Sequence, residues 1–170
     1  MNALAAQIAD KSAQVAVIGL GYVGLPLAVG FAKAGYPVLG LDVDERKHVA
    51  LHQGHSYIQD VDSADVASVI KNGRFSASSD YNLLCGMQAI IICVPTPFDA
   101  MKAPDLVDIE LASRGIASRL QAGQLVILQS TTYPGTTEEY VLPILEESGL
   151  RAGEDFYLAF SPERINPGDT

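Results

Sequence analysis

Basic residues are scarce: 11 Lys and Arg stand against 20 Asp and Glu, a formal net charge of −9. That field repels phosphate backbones and no Lys/Arg cluster interrupts it, so neither nucleic acid nor an anionic membrane surface is expected as a partner. Cysteine is scarcer still, with only Cys85 and Cys93, and their spacing builds neither a disulfide framework nor a zinc site. No metal is expected, and both thiols read as buried small apolar side chains in a reducing compartment. Long hydrophobic runs are missing. The longest strongly apolar stretch, Ala89 to Val94, is too short for a bilayer and suits a strand buried on both faces. Met1 to Lys11 has no basic residue ahead of an apolar stretch, and Asp10 closes it, so no export signal is read and a cytoplasmic location is expected.

What is present is a globular composition, 48% apolar and 18% charged over 170 residues, enough for one domain with one sizeable core. Short β-branched runs alternate with longer helical patterns, the signature of βαβ units. Strands are expected at Gln14–Ile18, Pro37–Leu41, Arg74–Ser78, Ala89–Val94, Leu125–Gln129 and Phe156–Phe160. Helices are expected at about Tyr22–Lys33 with Gly35 as the cap, Asp44–Leu51, Ser63–Lys71, Asp105–Leu120, and from near Pro134 to Glu147 with a perturbation at Pro143. Asp80 caps a brief helix through Leu84. Six strands make a Rossmann-type doubly wound parallel six-stranded sheet with helices on both faces, an α/β fold. Residues 1–12 are expected to be an N-terminal leader and 13–170 a dinucleotide-binding domain.

The first strand runs into Gly19-Leu20-Gly21-Tyr22-Val23-Gly24, a GxGxxG turn that opens a helix. In that context Gly19 permits the tight turn, Gly21 lets the backbone approach a pyrophosphate, and Gly24 lets the helix pack on the strand. The helix amino terminus, with Tyr22 and Val23, offers N–H donors to phosphates. Asp42 ends the second strand about 20 residues on, where this fold needs an acceptor for the adenosine ribose hydroxyls, and its charge repels a 2′-phosphate, so NAD is favoured over NADP. Arg46 and Lys47 stand where they can line the adenine side. Against this, the turn can be an ordinary strand–helix corner and Asp42 a helix cap.

Ligands of open α/β sheets bind along the carboxyl edge of the strands. Three more segments reach that edge. Cys93-Val94-Pro95-Thr96-Pro97 follows the fourth strand, placing Val94, Pro95 and Thr96 against the cofactor. Ser130 and Thr131 follow the fifth, and Glu163 follows the sixth. Thr131 reads equally as an N-cap of the next helix, and Arg164 as a substrate contact or a surface charge.

The chain resembles the N-terminal NAD domain of the UDP-glucose/GDP-mannose dehydrogenases. The resemblance rests on Gly19 to Ala28, Cys93 to Pro97, Ser130-Thr131-Thr132-Tyr133-Pro134-Gly135-Thr136-Thr137 and Ser161-Pro162-Glu163-Arg164. Gly54-His55-Ser56-Tyr57-Ile58 and Arg164-Ile165-Asn166-Pro167-Gly168 resemble the branch acting on UDP-N-acetylhexosamines, such as UDP-N-acetylglucosamine. Where the UDP-glucose branch has a second glutamate, this chain has Pro167.

That resemblance implies oxidation of the C6 alcohol of a UDP-sugar to a carboxylate with two NAD, through a thioester on a cysteine. It implies that Thr131 and Glu163 position or activate water, with Glu163 as the acid/base group, and that Glu163, Arg164, Ile165 and Asn166 meet the substrate. The family's catalytic cysteine, central helix and C-terminal substrate domain lie downstream of the motifs found here, so these residues alone are expected to bind NAD without turning over sugar. A homo-oligomer is implied for the full-length protein. Two other readings stay open: a non-catalytic NAD-sensing module, and a 3-hydroxyacid-type dehydrogenase, which shares the first motif and lacks the Ser-Pro-Glu-Arg block.

Overall fold

Val15–Ile18 (β1), Val38–Leu41 (β2), Phe75–Ser78 (β3), Ala89–Ile92 (β4), Leu125–Leu128 (β5) and Tyr157–Phe160 (β6) form one sheet, ordered β3-β2-β1-β4-β5-β6, with every pair parallel. This is the order of the full dinucleotide-binding fold, in which the chain winds outward in both directions from β1. The computed structural model describes residues 3–97 and 104–162. Among them no helix is long and apolar enough to cross a membrane.

Side chains alternate along each strand, so one sheet feeds two cores. Val15 and Val17 of β1 join Ala89 and Ile91 of β4 in a cluster with Leu25, Ala28 and Val29 of α2 (Gly24–Ala34), Leu51 of α3 (Glu45–His52), and Val66 and Val69 of α4 (Ser63–Lys71). Ala16, Ile18, Ile90 and Ile92 turn the other way, toward Ile109, Ala112 and Ile116 of α5 (Val107–Ala117) and Leu145 of α6 (Leu142–Glu146). Burying one such Leu or Ile contributes about 1.5–3 kcal/mol, so the two layers fix the register of every strand. In that register Leu41, Ile18, Ile92 and Leu128 lie side by side at the carboxyl edge.

Several expectations hold and several shift. Gly35 is left-handed (φ 105°) and its N–H donates to Ala32, the expected C-terminal cap of α2. The helix itself starts at Gly24 rather than Tyr22, because residues 21–23 form the corner. Strand β4 stops at Ile92: Cys93 still donates to Ile18, but its carbonyl lies over Gly19 and Val94 leaves the ladder. The helix expected from Pro134 to Glu147 is two pieces, a π-helical turn at Thr136–Val141 and then α6. Pro143 has no N–H to close an α-turn and its ring crowds the carbonyl four residues back, which accounts for the wider winding before it.

Two further differences concern residues 3–9 and Cys85. Ala3–Ala9, within the expected leader, form a helix (α1) with Leu4 buried, held where the Tyr36 hydroxyl donates to Ile8. Cys93 is buried as expected, but Cys85 is exposed. It lies in the 3₁₀ turn Tyr81–Gly86, where Leu84 takes the buried position and turns its neighbour out to solvent.

Candidate functional site

The corner after β1 is built by close approach. A β-carbon at Gly19 (φ +92°) would lie 2.6 Å from the Cys93 carbonyl oxygen, and one at Gly24 would overlap the Gly19 carbonyl oxygen. Neither position admits a side chain. At Gly21 a β-carbon would meet nothing within 4 Å, so that side of the turn is open space. No side chain caps the first turn of α2; Leu25 N–H donates to Gly21, Leu27 N–H to Val23 and Pro26 has none, so the donors and positive dipole end offered to an anion are those of the corner, residues 21–24.

Asp42 is delivered to this corner by β2. Its side chain is 7% exposed and both carboxylate oxygens are engaged: Oδ2 accepts from Leu20 N–H (2.8 Å) and from Lys47 Nζ (2.6 Å), while Oδ1 accepts from Asp44 N–H (3.0 Å). Burial pushes its pKa up, but the Lys47 ammonium and the two N–H donors outweigh burial and hold it below the ordinary value of 3.8. The group is therefore an ionised acceptor at neutral pH. It is not the cap of α3. That role belongs to Asp44, whose side chain accepts from Arg46 N–H.

Two clefts meet at this carboxylate. The first, about 340 Å³, is lined by Gly19, Gly21, Tyr22, Val23, Asp42, Lys47, Cys93, Val94, Pro95, Thr96, Gln129, Ser130 and Thr131. The second, about 310 Å³, shares Gly19, Asp42, Lys47, Val94 and Pro95 and continues between Val43, Tyr81, Asp108 and Leu111. One carboxylate between an open phosphate-sized corner and a largely apolar slot is the arrangement an adenosine diphosphate moiety requires, with its ribose at the junction. The residues present thus fit NAD. A third cavity, about 420 Å³, shares Thr131 with the first and runs past Thr132, Tyr133 and Pro134 to Phe160 and Pro162.

The structure therefore brings Gly19, Gly21, Tyr22, Val23, Asp42, Lys47, Val94, Pro95, Thr96, Ser130 and Thr131 to one cleft, with Gly24 beneath it as packing. Their individual bonding differs. The buried Ser130 hydroxyl donates to the Val94 carbonyl (2.7 Å), pinning the end of β5 to the loop after β4. Thr96 Oγ1 donates to the Thr131 carbonyl (2.7 Å) and ties the same two loops. Thr131 caps no helix: the residue before the π turn is Gly135, with no side-chain cap. Arg46, expected on the adenine side, turns outward at 90% exposure and pairs with Asp44 (2.7 Å), because Lys47 already occupies the inward position beside Asp42. Glu163, Arg164, Ile165 and Asn166 lie outside the described residues.

Several contributors were not anticipated, among them Gln129 in the first cleft and Val43 in the second. Tyr81, Asp108 and Leu111 build the far wall of the second cleft. They come from a 3₁₀ turn and from the outer face of α5, where Val107 and Leu111 are exposed apolar residues on an otherwise regular amphipathic helix. That misplaced hydrophobicity was the available signal.

Residues 13–170 match the UDP-glucose/GDP-mannose dehydrogenase family, NAD binding domain. The chain is 46% identical over 160 residues to UDP-N-acetyl-D-glucosamine 6-dehydrogenase of Pseudomonas aeruginosa, covering 94% of this chain and 37% of that protein. Its fold superposes on UDP-D-ManNAc dehydrogenase from Pyrococcus horikoshii with a TM-score of 0.86 at 39% identity, over 91% of this chain and 37% of that one. It superposes on an NDP-N-acetyl-D-galactosaminuronic acid dehydrogenase from Methanosarcina mazei with a TM-score of 0.87 at 35% identity, over 99% and 38%. The chain thus spans less than two fifths of the length of these relatives.

Proposed function

The chain belongs to the UDP-glucose/GDP-mannose dehydrogenase family, and from that premise we propose that it is the NAD-binding part of a nucleotide-sugar 6-dehydrogenase that oxidises the C6 alcohol of a UDP-N-acetylhexosamine to a carboxylate. The observation that carries the cofactor half of this reading is Asp42, whose one carboxylate walls both clefts while holding the glycine corner through Leu20 N–H. Bound NAD supplies the hydride acceptor. The residues here would divide the binding: the corner N–H groups would hold the pyrophosphate, Asp42 would accept hydrogen bonds from the ribose hydroxyls, and the apolar slot by Tyr81 and Leu111 would take the adenine.

Thr131 stands at the shared wall of the cofactor cleft and the cavity toward Pro162, which supports its assignment as the group that positions water or the reacting alcohol. Glu163, the residue after Pro162, is assigned as the acid/base group on the Ser-Pro-Glu-Arg resemblance, with Arg164, Ile165 and Asn166 as substrate contacts. Within these 170 residues no cysteine has a nucleophile's setting: exposed Cys85 points its thiol at the Arg119 carbonyl (3.8 Å), and Cys93 is buried beneath the corner. The chain by itself is therefore assigned cofactor binding without sugar oxidation.

Calorimetry tests the assignment. NAD is expected to bind at least tenfold tighter than NADP, since the 2′-phosphate would meet the Asp42 charge, and no NADH should form on adding UDP-N-acetylglucosamine. Equal affinity for the two dinucleotides would sink the assignment of Asp42, and NADH production would sink that of a non-catalytic part.

A further inference from the structure

Gly54-His55-Ser56-Tyr57-Ile58 is the segment whose resemblance pointed to the sugar branch. Yet among the described residues that line the two clefts at Asp42 or the cavity beyond Thr131, none comes from it. It lies between α3 and α4 and meets the glycine corner from the α2 side of the sheet. The Tyr57 hydroxyl donates to the Leu20 carbonyl at 2.8 Å.

The segment is a preformed platform for that phenol. Ser56 Oγ accepts from Ile58 N–H (3.1 Å) and donates to the Ile58 carbonyl (2.9 Å), and Ser56 N–H donates to Ser63 Oγ at the start of α4 (3.0 Å). Ile58 is anchored in the core, and Gly54 (φ +76°) turns tightly against Ala67. Burial, followed by the Asp42 and Asp44 charges, raises the Tyr57 pKa, so the hydroxyl stays a donor.

Leu20 is thus gripped on both sides: its N–H by Asp42, its carbonyl by Tyr57. The Leu20–Gly21 peptide is trans, so the Gly21 N–H points opposite to the carbonyl that Tyr57 holds. With both flanking peptide planes fixed, the chain enters residues 21–23 in one orientation, and the free donors of the corner are aimed before any anion arrives. Preorganisation of this kind raises affinity without a direct contact.

We propose that Tyr57 is a positioning residue for cofactor binding, orienting the anion-binding corner through the Leu20 carbonyl, and that the Gly54–Ile58 segment serves the pyrophosphate site rather than the sugar. The assignment rests on the reading of the cleft as a dinucleotide site. Its test is a titration of NADH fluorescence on the 170-residue chain, with ADP-ribose and adenosine as competitors and melting temperature recorded alongside. Tyr57→Phe keeps the ring and removes one hydrogen bond, so NADH and ADP-ribose should bind about three- to tenfold more weakly, while adenosine, which lacks the pyrophosphate, should bind as before. Ser56→Ala, which loosens the platform and leaves the phenol, should show the same selective loss at smaller size and serves if Tyr57→Phe fails to fold. A lowered melting temperature with ADP-ribose affinity unchanged, or equal losses for ADP-ribose and adenosine, would overturn the assignment. Failure of the wild-type chain to bind NADH would instead overturn the cofactor reading, and the role of Tyr57 with it.

Discussion

Gly21 and Gly24 occupy the same turn and meet opposite surroundings. A methyl group at Gly24 collides with the Gly19 carbonyl, a backbone group that cannot swing aside, whereas at Gly21 it enters empty space. Gly24→Ala should therefore cost about 2 kcal/mol or more in urea unfolding, as overpacking does. Gly21→Ala should leave stability within about 0.5 kcal/mol and still lose most NAD affinity, because its methyl group fills the cleft. Equal effects of the two on stability would contradict this division. Asp42 gives a pH signature. Its pKa is depressed in the fold, so the stability it contributes is complete above the ordinary value near 3.8 and is lost as pH falls through the lower folded value. In urea melts at pH 6 and pH 3, Asp42→Asn should lose less stability on acidification than the wild type; a loss as large would show that the carboxylate's partners contribute nothing. Both glycines and Asp42 were legible in sequence, since GxGxxG and an acid about 20 residues on state a geometric demand. Tyr57 was not legible as a clamp, because a single phenol in a polar connection carries no periodicity, and only the fold brings it to Leu20.

Among the elements, the six strands were readable because runs such as Val15–Ile18 and Ala89–Ile92 satisfy both faces of a parallel sheet. Their ends were less so. Propensity extends β4 to Val94, while close approach of the Cys93 carbonyl to Gly19 ends it at Ile92. Helix α5 starts at Val107 rather than Asp105, whose side chain instead accepts from the Val107 N–H. The π turn before α6 left one trace in the sequence, Pro143, and that trace predicted a disturbance without its form. It is held by its surroundings: Tyr140 donates to Glu110, and Arg114 of α5 bridges Glu110 and Glu147. Such exposed pairs contribute little individually, so packing of Val141 and Leu145 against the sheet sets the position of that turn.

For the whole molecule, the acidic balance bears on how the cofactor is approached. An anionic dinucleotide approaches a chain of net charge −9 and, in the proposed site, would be held by backbone N–H groups beside one partnered lysine, Lys47. Raising salt from about 20 to about 200 mM shortens the screening length from roughly 20 Å to roughly 7 Å. NAD affinity should hold or rise over that range, and NADP affinity should rise more, as a fluorescence or calorimetric titration can show. A steep fall with salt would instead mark a basic binding surface. The carboxyl-edge row Leu41, Ile18, Ile92 and Leu128 has a last implication. One residue inserted within any of these strands would advance the loop beyond it by about 3.3 Å and exchange its two faces, dismantling whichever cleft that loop lines. At the opposite edge Val38, Val15, Ala89 and Leu125 form a row of their own, but the turns that precede it, at Gly35, Gly73 and Gly123, line neither cleft, so changes in loop length are expected to accumulate there.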